Sequence, residues 1–167
     1  MKKYNFKTKP FDHQRKALEL SWSKKTYALF MEMGTGKTKV AIDNMGILRQ
    51  QNEINLAIII APKSVYMNWK TEIETHLSDD IDYELFSWPK TKDLPMEFIF
   101  EGKLGIMLLN VEALSHKSGV DFIRETMIRF SKSCMIILDE STTIKNRGAA
   151  RTKNILKISY QPSTREY

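Results

Sequence analysis

Two glycines, a lysine and a threonine carry the clearest chemistry in this chain, in the stretch Glu32-Met33-Gly34-Thr35-Gly36-Lys37-Thr38-Lys39-Val40. Glycines let the backbone curl until successive N–H groups point inward at an anion, and a helix beginning there adds the positive end of its dipole. A lysine at that point reaches the β and γ phosphates of a nucleotide, and the threonine hydroxyl binds Mg²⁺. The glycine that usually opens such a loop is absent, since Met31 stands in its place. About a hundred residues on, the apolar run Met135-Ile136-Ile137-Leu138 ends in Asp139-Glu140. Asp139 suits Mg²⁺, and Glu140 suits a water to be oriented and deprotonated for attack on the γ-phosphate.

Such residues need elements to aim them. Thr26 to Met31 predicts a short buried strand ahead of the loop, and Val40, Ala41, Met45 and Leu48 share one face of a helix from Lys37 to about Gln50. Upstream, Asp12 is the expected N-cap of a helix whose apolar side holds Ala17, Leu18 and Trp22. Leu56–Ile60 and Gly105–Leu109 are uninterrupted apolar runs, as are residues 135–138, each expected of a strand covered on both faces. Val65, Trp69 and Ile73 recur every fourth residue, and Val120, Ile123, Met127 and Phe130 form a second helical stripe. Residues 81–86 alternate as a more exposed strand, residues 88–95 are turn-rich with Trp88 as an exposed aromatic, and a basic helix runs from about Gly148 to Ser159. Strands alternating with helices predict an α/β fold, a parallel sheet with helices on both faces.

At 167 residues, 42% hydrophobic and 28% charged, the chain suits a single globular domain with a real core rather than a disordered or membrane-spanning segment. Its apolar runs fall far short of the roughly 20 residues of a transmembrane helix, and its basic N-terminus has no apolar signal core. Cys134, the single cysteine, begins an apolar run and is expected to be a packing residue in a reducing compartment, cytoplasmic, or nuclear in a eukaryote. The net charge of +6 comes entirely from the first 25 residues, where eight Lys and Arg face two acids. Acids cluster over residues 72–84, and Lys145, Arg147, Arg151, Lys153 and Lys157 form a block without acids. Clustered basic charge points to a polyanion or to a solvated face.

Taken together, these stretches resemble the first RecA-like domain of superfamily-two helicases and translocases, P-loop NTPases, closest to the Swi/Snf branch, from about Pro10 to the last residue. Phe11-Asp12-His13-Gln14 resembles the family's Q motif, which implies that Gln14 contacts adenine. Residues 33–38 resemble motif I, implying that Met33, Gly34, Thr35, Gly36, Lys37 and Thr38 hold ATP, with Mg²⁺ on Thr38 and Asp139. Ala61-Pro62-Lys63-Ser64 with Asn68-Trp69 resembles motif Ia, implying that Lys63 and Ser64 approach a nucleic-acid backbone. Asn110 falls in the place of motif Ib. Asp139-Glu140-Ser141-Thr142 resembles motif II, and Ile144-Lys145-Asn146 matches a tripeptide that often follows it in the Swi/Snf branch. Lys145 and Asn146 are therefore expected at nucleic acid, with Arg147 and Arg151 beside them. Double-stranded DNA is the implied track; RNA is the alternative, because such motifs grip backbone rather than bases.

Two departures bear on function. Ser141-Thr142 replaces the commoner Ala-His or Gly-His. The resemblance also places a motif III strand between the phosphate-loop strand and the Asp139 strand, followed by a second RecA-like domain with an arginine finger; the chain reaches Tyr167 before either. A sheet incomplete at the C-terminus is expected, as in a truncated product, a cut piece, or a chain completed by another, including self-association through the open sheet. The alternative function is a catalytically inactive half-helicase that binds nucleic acid or a partner. Trp69 is expected in the core, and the three histidines lack metal-ligand spacing.

Overall fold

The computed structural model describes residues 4–24, 26–130, 133–139 and 150–159. Four strands, β1 (Leu56–Ala61), β2 (Tyr83–Ser87), β3 (Leu104–Asn110) and β4 (Cys134–Leu138), form one sheet in the order β2-β3-β1-β4. Every pair is parallel, with Leu56 opposite Gly105 and Cys134, and Tyr83 opposite Leu104. The central strand β1 is buried along its whole length, as its unbroken apolar run requires, whereas β4 at the edge is half-buried throughout.

Among the described residues six α-helices flank the sheet: α1 (Asp12–Ser21), α2 (Lys37–Gln50), α3 (Lys63–His76), the short α4 (Glu97–Phe100), α5 (Lys117–Arg129) and α6 (Ala150–Ser159). Strand alternation sorts them. Ala57, Ile59 and Ala61 of β1 face Ile42 and Met45 of α2 and Trp69 and Ile73 of α3. Leu56, Ile58 and Ile60 face Phe98, Phe122 and Ile123 with Ile155 of α6. The parallel sheet with helices on both faces expected from the sequence is thus present, with α1 lying on α2.

The first segment straps the α2–α3 face. Tyr4 is buried there, Lys7 pairs with Asp79 at 2.7 Å, and Thr8 Oγ1 lies 2.6 Å from His76 Nδ1. Part of the N-terminal positive charge therefore meets the acidic block at 72–84 instead of an outside polyanion.

Three expectations need correction. Residues 26–31 are not a strand: they carry no sheet pairing, and Phe30 is 96% exposed. A strand needs a neighbour for its N–H and C=O groups, and among the described residues the four strands pair only with one another, none with residues 26–31. Phe11, not Asp12, caps α1. Trp88 is half-buried against the α5 side of the core, not exposed.

Candidate phosphate-binding loop and the β4 carboxylate

Gly34 (φ +77°) and Gly36 (φ +82°) both take the left-handed backbone that costs other residues about 1–2 kcal/mol. The two differ in surroundings. A Cβ on Gly34 would meet open space, whereas one on Gly36 would lie 2.3 Å from Gln14 Nε2. Gln14 is 4% exposed and uses both ends of its amide: Oε1 accepts from the Phe11 N–H at 3.0 Å, capping α1, and Nε2 donates to Thr35 O at 3.0 Å. His13 Nε2 donates to the same carbonyl at 3.0 Å. So α1 holds the loop through two side chains, one of which, His13, the sequence did not single out.

Inside the loop, Thr35 Oγ1 donates to Glu32 O at 2.7 Å. The Lys37 ammonium donates to Met31 O at 2.9 Å and Glu32 O at 3.0 Å. α2 then starts with no side chain capping its N-terminus and no acid in its first turn. Thr38 is half-buried and its hydroxyl has no hydrogen-bond partner among the described residues. Uncapped amides, an adjacent ammonium and a spare hydroxyl are a donor set that fits a phosphate with its Mg²⁺. Beneath the loop, Lys39 donates to Asp43 at 2.7 Å within α2, both nearly inaccessible. Burial pushes the Asp43 carboxyl above its ordinary range, against the hydrogen bond and charge of Lys39.

The two halves of the site lie at one end of the sheet. α2 packs along β1 and feeds into its start, so the two run in opposite directions and the N-terminus of α2 lies toward Ala61. A 14-residue helix and a six-residue strand match in length, each about 20 Å. Met135 and Ile137 of β4 face α2 and α3, while Ile136 and Leu138 face the other way. Pairing continues one residue further, with Asp139 N donating to Ile60 O at 2.9 Å, so alternation turns the Asp139 side chain to the α2–α3 face. There Trp69 Nε1 donates to Asp139 Oδ2 at 2.8 Å.

Lys63 and Ser64 are exposed in the first turn of α3, at the same end of the sheet. Asn110 ends β3, where its side chain accepts from Glu112 N at 3.1 Å. Met33 is 93% exposed at the loop tip. Arg151 donates to Ser115 Oγ at 2.7 Å, which docks α6 on the turn after β3. Glu140, Ser141, Thr142, Lys145, Asn146 and Arg147 lie outside the described residues.

Residues 13–163 match the SNF2-related domain. The chain belongs to that family. This SNF2-related chain is 29% identical over 158 residues to the Protein CHROMATIN REMODELING 24 of Arabidopsis thaliana, covering 89% of the chain and 14% of that relative. Its fold is similar to the Sulfolobus solfataricus SWI2/SNF2 ATPase core solved in complex with dsDNA (TM-score 0.67, 22% identity), covering 93% of this chain and 31% of that one. The SNF2-related chain therefore spans a minor part of the length of both, and the structural likeness is one of fold: a RecA-like parallel sheet. Among the described residues no helix is long and apolar enough to cross a membrane.

Proposed function

We propose that the chain is the ATP-binding part of a DNA-dependent ATPase, with hydrolysis driving movement along duplex DNA in the whole protein. The observation that carries this reading is the alternation of β4, which turns Asp139 toward the face and the sheet end where α2 begins with Lys37 and Thr38. In this reading Lys37 leaves the carbonyls of Met31 and Glu32 for the β and γ phosphates, and the first amides of α2 take the phosphate oxygens. Gln14 and the loop residues 33–36 hold the remainder of the nucleotide. Thr38 and Asp139 would hold Mg²⁺, which when bound supplies positive charge against the phosphates. Glu140 takes the proton of the attacking water. Lys63, Ser64, Asn110, Lys145 and Asn146 face the nucleic-acid backbone. The plant relative's name and the dsDNA of the archaeal complex favour duplex DNA over RNA.

By itself the chain is expected to bind nucleotide and turn it over slowly, because an arginine finger supplied by a second domain is worth about 10³–10⁵ in rate. The test is equilibrium binding of a fluorescent ATP analogue with and without Mg²⁺, then steady-state hydrolysis with no nucleic acid, duplex DNA or duplex RNA. Mg²⁺-supported binding with low, DNA-raised turnover is the expected result. Absence of nucleotide binding in any buffer would remove the reading.

A further inference from the structure

We infer that Trp69 is a positioning residue for the metal: its indole N–H fixes the carboxylate of Asp139 for Mg²⁺. This rests on the nucleotide reading above and adds to it a residue with no assigned role. Trp69 is 2% exposed and sits on the second turn of α3, locked among the side chains that cover the α2–α3 face of the sheet. An indole N–H can only donate, and it donates at 2.8 Å to Oδ2, so one carboxylate oxygen is tied to a side chain that cannot itself bind a cation. The backbone of Asp139 is already held by its bond to Ile60 O. The indole acts on the rotation of the carboxylate, through the bond to Oδ2. Outer partners of this kind hold a ligand in its binding orientation, and their loss typically costs about 10–100-fold in metal affinity.

A phenylalanine at position 69 would keep most of the buried ring and delete the donor. The affinity of the full chain for ADP is measured in EDTA and in Mg²⁺, for the wild type and for Trp69→Phe. The expected result is an unchanged affinity in EDTA and a gain from Mg²⁺ reduced about tenfold or more; damage to the fold alone would lower both. As a readout that needs no variant at position 69, Mn²⁺ is added to the ADP complex of the wild type and the three indole ¹⁵N–¹H resonances are followed, assigned by elimination with Trp22→Phe and Trp88→Phe. The Trp69 resonance should broaden well before the other two. An equal Mg²⁺ gain in Trp69→Phe, or broadening at Trp69 no stronger than at Trp22 and Trp88, overturns the assignment and leaves the nucleotide reading standing. A wild type that binds no ADP in either buffer overturns both.

Discussion

The indole nitrogen of Trp69 and the carboxylate of Asp139 meet across 2.8 Å although 70 residues separate them in the chain. Helix α3 starts with exposed Lys63 and Ser64, so one rigid element touches both the proposed nucleic-acid side and the proposed metal ligand. The hydrogen bond also ties α3 to the end of β4.

Lys37→Ala should separate binding from folding. Among the described residues the ammonium bonds only to carbonyls of its own loop, so its loss should leave the melting temperature within a few degrees, roughly the change produced by about 1 kcal/mol. Affinity for the Mg²⁺–nucleotide complex should fall at least about tenfold, as expected for removing a charge-assisted hydrogen bond worth about 1.5–3 kcal/mol. Calorimetric melting and titration of the same samples check both.

Gly36→Ala should destabilise more than Gly34→Ala. Both pay the positive-φ cost, but only the former drives a methyl into Gln14 Nε2. Adding Gln14→Ala should recover part of the Gly36→Ala loss, since it removes the opposing amide. Urea unfolding of the two single variants, Gln14→Ala and the double variant measures the coupling, and additive effects would contradict the contact.

Lys39→Met leaves the Asp43 carboxylate buried without its partner. A loss of about 3–5 kcal/mol is expected at pH 7, read as a lower urea midpoint. Burial already holds the Asp43 pKa above its unfolded value, so charging Asp43 opposes folding. Without Lys39 that opposition grows, and the variant should regain stability as pH falls toward about 4, where unfolded aspartates protonate.

Alkaline pH should weaken the fold through two buried protons, one on a thiol and one on a phenol. Burial pushes the Cys134 thiol up to about 12 and holds the Tyr4 phenol above its ordinary range. The folded state then keeps protons that the unfolded state releases from about pH 8.5 upward for the thiol and about pH 10 for the phenol. Stability from these groups is complete below pH 8.5 and declines above it. The urea midpoint should drop between pH 8 and pH 10.5, and less steeply in Cys134→Ala. Iodoacetamide at pH 8 should alkylate Cys134 slowly in the native protein and rapidly in urea.

Much of the architecture is written in local pattern. Unbroken apolar runs mark β1, β3 and β4 because a strand covered on both faces has no position for a polar side chain, and four-residue spacing marks α3 and α5. The Gly34–Thr38 loop is equally legible, since few sequences other than glycine-rich ones tolerate two left-handed turns before a helix. Residues 26–31 mislead for the opposite reason. Their composition suits a strand, but a strand exists only where a neighbour pairs with it, and pairing is decided by residues distant in the chain.

Tertiary structure alone settled which partners the polar groups found. Trp69 reads as core from its spacing, and it is core; that its one polar atom meets Asp139 depends on how α3 lies across the end of β4. Gln14 reads as an exposed helical residue that only likeness to a family singles out, yet packing of α1 on α2 buries it against Gly36 and Thr35. By itself the sequence determined most of the elements, the loop and the two candidate acids, because periodicity and backbone preference act over a few residues. The face to which Asp139 turns and the donor that holds it were decided only on folding, because hydrogen bonds between remote side chains leave no periodic trace in the chain.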